Sequence, residues 1–159
     1  MGQIFETILE FFEDNDWQVD LVDFNLLRTA FFGKNGKFDL YGHELTDKEG
    51  ILFHCRCPVN VPESKRVEVA EFLTRANFEM LLGNFEMDWE DGEVRYKTSL
   101  YTNDEAATVA MVEPLVWSNV YRMDQYFPGL MSIIYGNLSP KEAIDMVETE
   151  DEAQNEVDR

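Results

Sequence analysis

Bases are scarce in this chain: 13 Lys and Arg stand against 32 Asp and Glu, a formal net charge of −19. Such a field repels a phosphate backbone, so no nucleic-acid role is expected. Long apolar runs are missing too, because charge or proline interrupts each one, and no membrane span is expected. The start Met-Gly-Gln-Ile-Phe-Glu lacks the basic stretch of a secretory signal, and Glu6 stands where a myristoylation motif wants Ser or Thr. A cytoplasmic chain is the expectation.

There are two cysteines and two histidines. Cys55 and Cys57, two apart in a strand-like run, share a face with Ile51 and Phe53. Neighbours at that spacing seldom reach disulfide geometry, and neither a C-x-x-C pair nor a zinc quartet is present. They read as small core residues. His43 and His54 fall on the wetter face of their strands with no positioned Ser or Cys, so nucleophilic catalysis has no support. The glycine-rich Gly33–Lys37 stretch lacks the spacing and the following helix of a phosphate loop. A non-enzymatic protein is expected, with no catalytic residue, cofactor or metal.

What is present is greasy enough to fold. The chain has 159 residues, 45% hydrophobic and 13% aromatic, which suits one domain with a core. Ile4, Ile8, Phe11 and Phe12 give residues 3–14 a helical stripe. Residues 17–24 have no clean period and read as a loop with room for a short strand. Strands follow at 26–32, 38–44 and 51–57. Asn35-Gly36 predicts a tight hairpin with Lys34 opposite Lys37 and Phe31 opposite Leu40. Pro62 suits the first turn of a helix reaching residue 77, with Val69, Phe72, Leu73 and Ala76 inward.

Asp91-Gly92 predicts a second tight hairpin, in which Trp89 faces Val94, Met87 faces Tyr96 and Phe85 faces Thr98. Its other face would pair Asp88 with Arg95 and Glu86 with Lys97, so ion pairs explain the two carboxylates better than a bound cation does. Asn103-Asp104 is the expected cap of a helical region reaching residue 135, kinked or restarted at Pro114 and again at Pro128. Ser139-Pro140-Lys141-Glu142 is a capping box that opens a short helix with Ala143, Ile144 and Val147 inward. Residues 1–148 read as a single domain and 149–159 as a disordered acidic tail. The layout is α+β, an antiparallel sheet of about five strands with helices on one face, in the order α-β-β-β-α-β-β-α-α.

Three stretches carry a resemblance to a known family. They are Cys57-Pro58-Val59-Asn60-Val61-Pro62-Glu63 with Arg66, then Val69 to Phe78, and Gly83-Asn84-Phe85-Glu86-Met87-Asp88 continued by Asp91 to Thr98. Together they resemble the YbjN family, and look most similar to its cyanobacterial members. The resemblance spans roughly residues 26–148 and implies a fold like that of type III secretion chaperones. It implies a regulator, with no catalytic residues to carry over.

Three functional readings follow. Surplus apolar surface at Leu115, Trp117, Tyr121 and Tyr126 suits a homodimer or a protein partner, as in a regulator or adaptor. A chaperone-like role would hold an extended polypeptide along helix and sheet surfaces. The sheet face bearing Arg28, Tyr41, His43, His54 and Arg56 would suit a small anionic ligand.

Overall fold

A computed structural model of the chain describes the backbone of residues 2–157 and the side chains of residues 2–149. Helix α1 (Gln3–Asp14) leads into a four-residue strand β1 (Asp20–Asp23), then β2 (Leu26–Phe32), β3 (Lys37–Leu45) and β4 (Gly50–Arg56). Helix α2 (Arg66–Asn77) precedes β5 (Asn84–Met87) and β6 (Val94–Tyr101), and α3 (Val109–Ile134) and α4 (Pro140–Val157) complete the order. All pairings are antiparallel in one six-stranded sheet ordered β1-β2-β3-β4-β6-β5. The expected α+β class and helix order are found. The additional strand is β1, in the 17–24 segment. The expected boundary at residue 148 falls within α4, and residues 158 and 159 lie outside the described residues.

Period-two alternation decides which sheet face is covered. Leu27, Phe38, Leu40, Ile51, Phe53, Cys55, Val94 and Tyr96 point to one side and are buried with Phe5, Ile8, Phe11 and Phe12 of α1 and the inner stripe of α3. Helix α3 crosses β3, β4 and β6, while α4 packs on α2 and α3. Both cysteines are free and buried, as the sequence predicts. Burial pushes the thiol of Cys55 far up and that of Cys57 up to about 11, so both stay protonated and inert at neutral pH.

Helix α3 is one helix, not two or three. Pro128 cannot donate to the carbonyl four residues back, that of Asp124. The freed Asp124 oxygen instead accepts a hydrogen bond from Asn35 Nδ2 at 2.9 Å, and the Asp124 carboxylate accepts from the backbone N–H of Lys34 (3.0 Å) and Asn35 (2.8 Å). The β2–β3 loop thus seals the proline break. The helix also starts later than expected. Asn103 and Asp104 adopt positive φ angles of 50° and 66° in a left-handed turn, and Thr108 occupies the cap position.

Docking onto α3 changes the hairpin. A tight Asn-Gly turn needs positive φ at both residues, and neither has it. The loop widens to four residues closed by Gly33 N to Gly36 O at 2.8 Å, so Phe31 pairs with Phe38 and Thr29 with Leu40. The β5–β6 hairpin moves by the same two residues, giving Met87 opposite Val94, Phe85 opposite Tyr96 and Glu86 opposite Arg95. A shift of two keeps every side chain on its expected face.

Helix α1 has no capping side chain of its own at Gly2. Glu44 of β3, buried on the covered face, accepts from the Phe5 N–H at 3.2 Å and supplies a carboxylate at the positive helix end. Replacing Glu44 with alanine is expected to cost about 1–2 kcal/mol in urea unfolding, and replacing it with glutamine roughly half of that.

Candidate functional site

Two surfaces hold the residues singled out in the sequence. The first is the sheet face that no helix covers. Tyr41 and His54, in adjacent strands, stack with ring centroids 5.0 Å apart and planes 13° apart, and His43 stacks on His54 at 5.3 Å. Arg28 and Arg56 flank this row. Neither cation is uncommitted: Arg28 Nη2 meets Asp39 Oδ2 at 3.1 Å and Arg56 Nη2 meets Glu93 Oε2 at 3.2 Å. In the next strand Arg95 Nε and Lys97 Nζ share Glu86, at 2.5 and 2.7 Å. Burial works to raise the Glu86 pKa, but the hydrogen bonds from Lys97 and Arg95 outweigh it and hold the carboxyl below its ordinary value. Asp88 loses its expected Arg95 partner through the register shift and accepts from the Glu90 N–H in the loop instead. Among the described residues no group of His, Cys, Asp and Glu is arranged to hold a metal ion.

The histidines are half-buried rather than bare. Desolvation, then the charges of Arg95 and His43, hold the His54 imidazole down at about 4. Desolvation followed by Arg95 lowers His43 as well. Both are therefore neutral at pH 7. In the unfolded chain a histidine titrates near 6.5 and takes up the proton that folded His54 refuses. Folding stability is thus lost as pH falls from about 6.5 toward about 4. Urea midpoints measured between pH 6.5 and 4.5 should fall less steeply for His54→Gln than for the unaltered chain.

The second surface lies at the opposite end of the sheet, where β1 parts from β2. Their pairing stops at Asp20 opposite Arg28, so β2 from Thr29 to Phe32 has no strand on its outer side. The 15–18 segment lies there instead. Trp17 Nε1 donates to Ala30 O at 3.0 Å, and Thr29 Oγ1 donates to Gln18 O at 2.5 Å. Trp17 stacks on Trp117 of α3 (5.5 Å), and Trp117 stacks on Tyr121 (5.4 Å). Phe31 closes the set edge-on against Tyr121 at 5.9 Å. A groove of about 480 Å³ runs over Trp17, Phe31, Phe32 and Trp117.

Of the four expected interface residues, this surface keeps two. Tyr121 is 56% exposed and Trp117 half-buried. Leu115 and Tyr126 are only 2% and 4% exposed, because both turn onto the core side of α3. There Tyr126 packs against Phe72 and Phe85 and its hydroxyl bonds Glu148. Trp17, Phe31 and Phe32 complete the surface and come from elements remote in sequence, which periodicity within one helix cannot reveal. Along the same rim β1 is the outermost strand, and Leu21, Val22 and Phe24 are each more than half exposed. An exposed, apolar edge strand is a ready template for pairing with another chain.

Among the described residues no helix is long and apolar enough to cross a membrane. No curated protein matches the sequence. Solved structures match the fold. YbjN of E. coli, described as "a putative transcription regulator", is 15% identical, with a TM-score of 0.54 over 75% of this chain and 84% of that one. A chain of the ExsC–ExsE complex is 12% identical, with a TM-score of 0.52 over 78% and 90%. A chain of the HopA1–SchA chaperone–effector complex is 13% identical, with a TM-score of 0.51 over 76% and 91%. Identities this low establish shared architecture, and the architecture is the type III secretion chaperone-like fold that the resemblance implies. A family model, YbjN, "Putative bacterial sensory transduction regulator", matches residues 5–132. That match takes in the sheet, α2 and nearly all of α3, and on it the chain belongs to the YbjN family.

Proposed function

We propose that this chain is a non-enzymatic, cytoplasmic adaptor or regulator of the cyanobacterial YbjN type, which binds an extended segment of another protein along the β1–β2 rim. The observation that carries the reading is exposed apolar side chains on and beside an unpaired strand edge. Leu21 and Val22 of the outermost strand β1 and Phe24 just after it are each more than half exposed, as are Phe32 at the end of β2 and Tyr121 of α3. A strand added at such an edge gains backbone hydrogen bonds from β1, and its alternate side chains reach the apolar rim. Two structures sharing the fold contain complexes, one of them a chaperone with its effector, which supports a chaperone-like form of the reading. The stacked, ion-paired sheet face favours a small anionic ligand less, since its cations already hold carboxylates.

The test combines light scattering with affinity capture from the native source, using the full chain and a Val22→Asp, Tyr121→Asp variant. The reading expects a protein retained by the first and lost by the second. Retention of the same proteins with and without the two substitutions would contradict it.

A further inference from the structure

The rim is charged in a way that specifies its guest. The first 27 residues contain seven acids and no Lys, Arg or His, so α1, β1 and the loop between them contribute −7 with no base of their own. Elsewhere the ion pairs engage acids of β3, α2, β5, α4 and the hairpin loop. None among the described residues involves Asp14, Asp16, Asp20 or Asp23. Arg28, opposite Asp20 in β2, is hydrogen-bonded to Asp39 and feels Asp20 only as a smaller charge effect.

The strand geometry arranges two of these acids. Three residues apart on a regular strand, Asp20 and Asp23 would point to opposite faces. The β1–β2 register shifts between Leu21 and Asp23, however, so that Asp20 sits opposite Arg28 and Asp23 opposite Leu26. Arg28 and Leu26 are both residues of the uncovered face. Val22 is the extra residue of a bulge, and the bulge brings both carboxylates to one side of the edge. Leu21, opposite Leu27, takes the other side.

Resting on the docking reading above, we infer that the partner segment is a basic strand with Lys or Arg at positions i and i+2 and an apolar residue between them. Its two cations meet Asp20 and Asp23 on the uncovered face, and the residue between them turns to the side of Leu21. The field of a chain at −19 steers such a segment in and disfavours competitors of the same sign. A second copy of this chain is a poor occupant, since pairing β1 with β1 opposes carboxylates to carboxylates.

The probe is a fluorescein-labelled peptide, Thr-Lys-Val-Lys-Val-Lys-Val-Lys-Thr, followed by anisotropy with the full chain at 50 and 200 mM salt. It is compared with the Glu-for-Lys peptide and with a peptide of the same composition in Lys-Lys-Val-Val order. The inference expects the alternating Lys peptide to bind about tenfold or more tightly than either control, and more weakly at high salt. An Asp20→Asn, Asp23→Asn chain should lose about tenfold, while Glu79→Gln, Glu142→Gln, which removes the same charge elsewhere, should lose little. Equal binding of the Lys-Lys-Val-Val peptide, or equal losses in the two double variants, would overturn the basic-strand inference. If the three peptides bind the unaltered chain equally and Val22→Asp, Tyr121→Asp abolishes all three, the rim still docks a strand and only the charge rule fails. No binding by any peptide overturns the inference, and a dimer that dissociates on Leu21→Lys makes a second copy the occupant and overturns it too.

Discussion

Replacing Gly92 with valine is expected to destabilise the fold by about 3–4 kcal/mol. Gly92 has φ of 76°, in the left-handed region that costs a residue with a Cβ roughly 1–2 kcal/mol. The rest comes from its surroundings. Its carbonyl accepts from the Val61 N–H at 2.8 Å and its own N–H reaches Asp88 O at 2.8 Å, while a Cβ there would run into the Val61 backbone carbonyl. The loop cannot relieve that collision without releasing the Pro58–Pro62 segment, which Arg66 also grips through Val61 O (3.2 Å) and Trp89 O (3.1 Å). Urea unfolding of Gly92→Val beside Asp91→Ala separates the two causes. The Asp91 carboxylate accepts a hydrogen bond from the Glu93 N–H, and losing it should cost about 1 kcal/mol. Similar losses in the two variants would contradict the account of Gly92.

Asn119→Asp is expected to cost about 3–5 kcal/mol. Asn119 is fully buried, facing the sheet from the middle of α3. Its Nδ2 donates to Phe53 O and to Thr98 Oγ1, both at 3.0 Å, and the Thr98 hydroxyl donates to Leu115 O at 2.8 Å. Phe53 and Thr98 are cross-strand partners in β4 and β6, so one amide ties the helix to two strands. An aspartate of the same shape would aim a carboxylate at these acceptors, in a site where Asn119 Oδ1 already has no partner among the described residues. Protonating it restores a donor. The deficit should therefore shrink as pH falls, whereas the deficit of Asn119→Ala, about 2–3 kcal/mol, should not follow that titration.

These two residues mark where the sequence stops being readable. The faces of the strands were legible, since alternation at Leu40, Phe53, Cys55, Val94 and Tyr96 names the core side without knowledge of any partner. Register was not. Asn35-Gly36 and Asp91-Gly92 both signal tight turns, and both loops are held wider by contacts remote in sequence, Asp124 in one case and Val61 with Arg66 in the other. Local turn preference is worth less than several hydrogen bonds and a sealed proline break. Pro128 misleads for the same reason, because what rescues α3 there lies some ninety residues upstream. Asn119 carries no sequence signal, as a polar residue inside a helical stripe normally marks its wet side.

The candidate site was half legible. Trp117 and Tyr121 stand out as apolar surplus on α3, but the same reasoning admitted Leu115 and Tyr126, whose positions differ from theirs by fractions of a helical turn. The other half of the site, Trp17, Phe31 and the bulged edge at Val22, exists only once β1 lies beside β2. A segment without clean period left room for a short strand but named neither its partner nor its bulge.

The central claim is that the β1–β2 rim, and not the ion-paired sheet face, receives a partner polypeptide. Photo-crosslinking in the native cells tests it most directly, with a photoreactive phenylalanine placed singly at Leu21, Tyr121 or Tyr41. The account predicts one defined polypeptide joined at Leu21 and at Tyr121 and absent at Tyr41. Crosslinks confined to Tyr41, or none at either rim position, would contradict it.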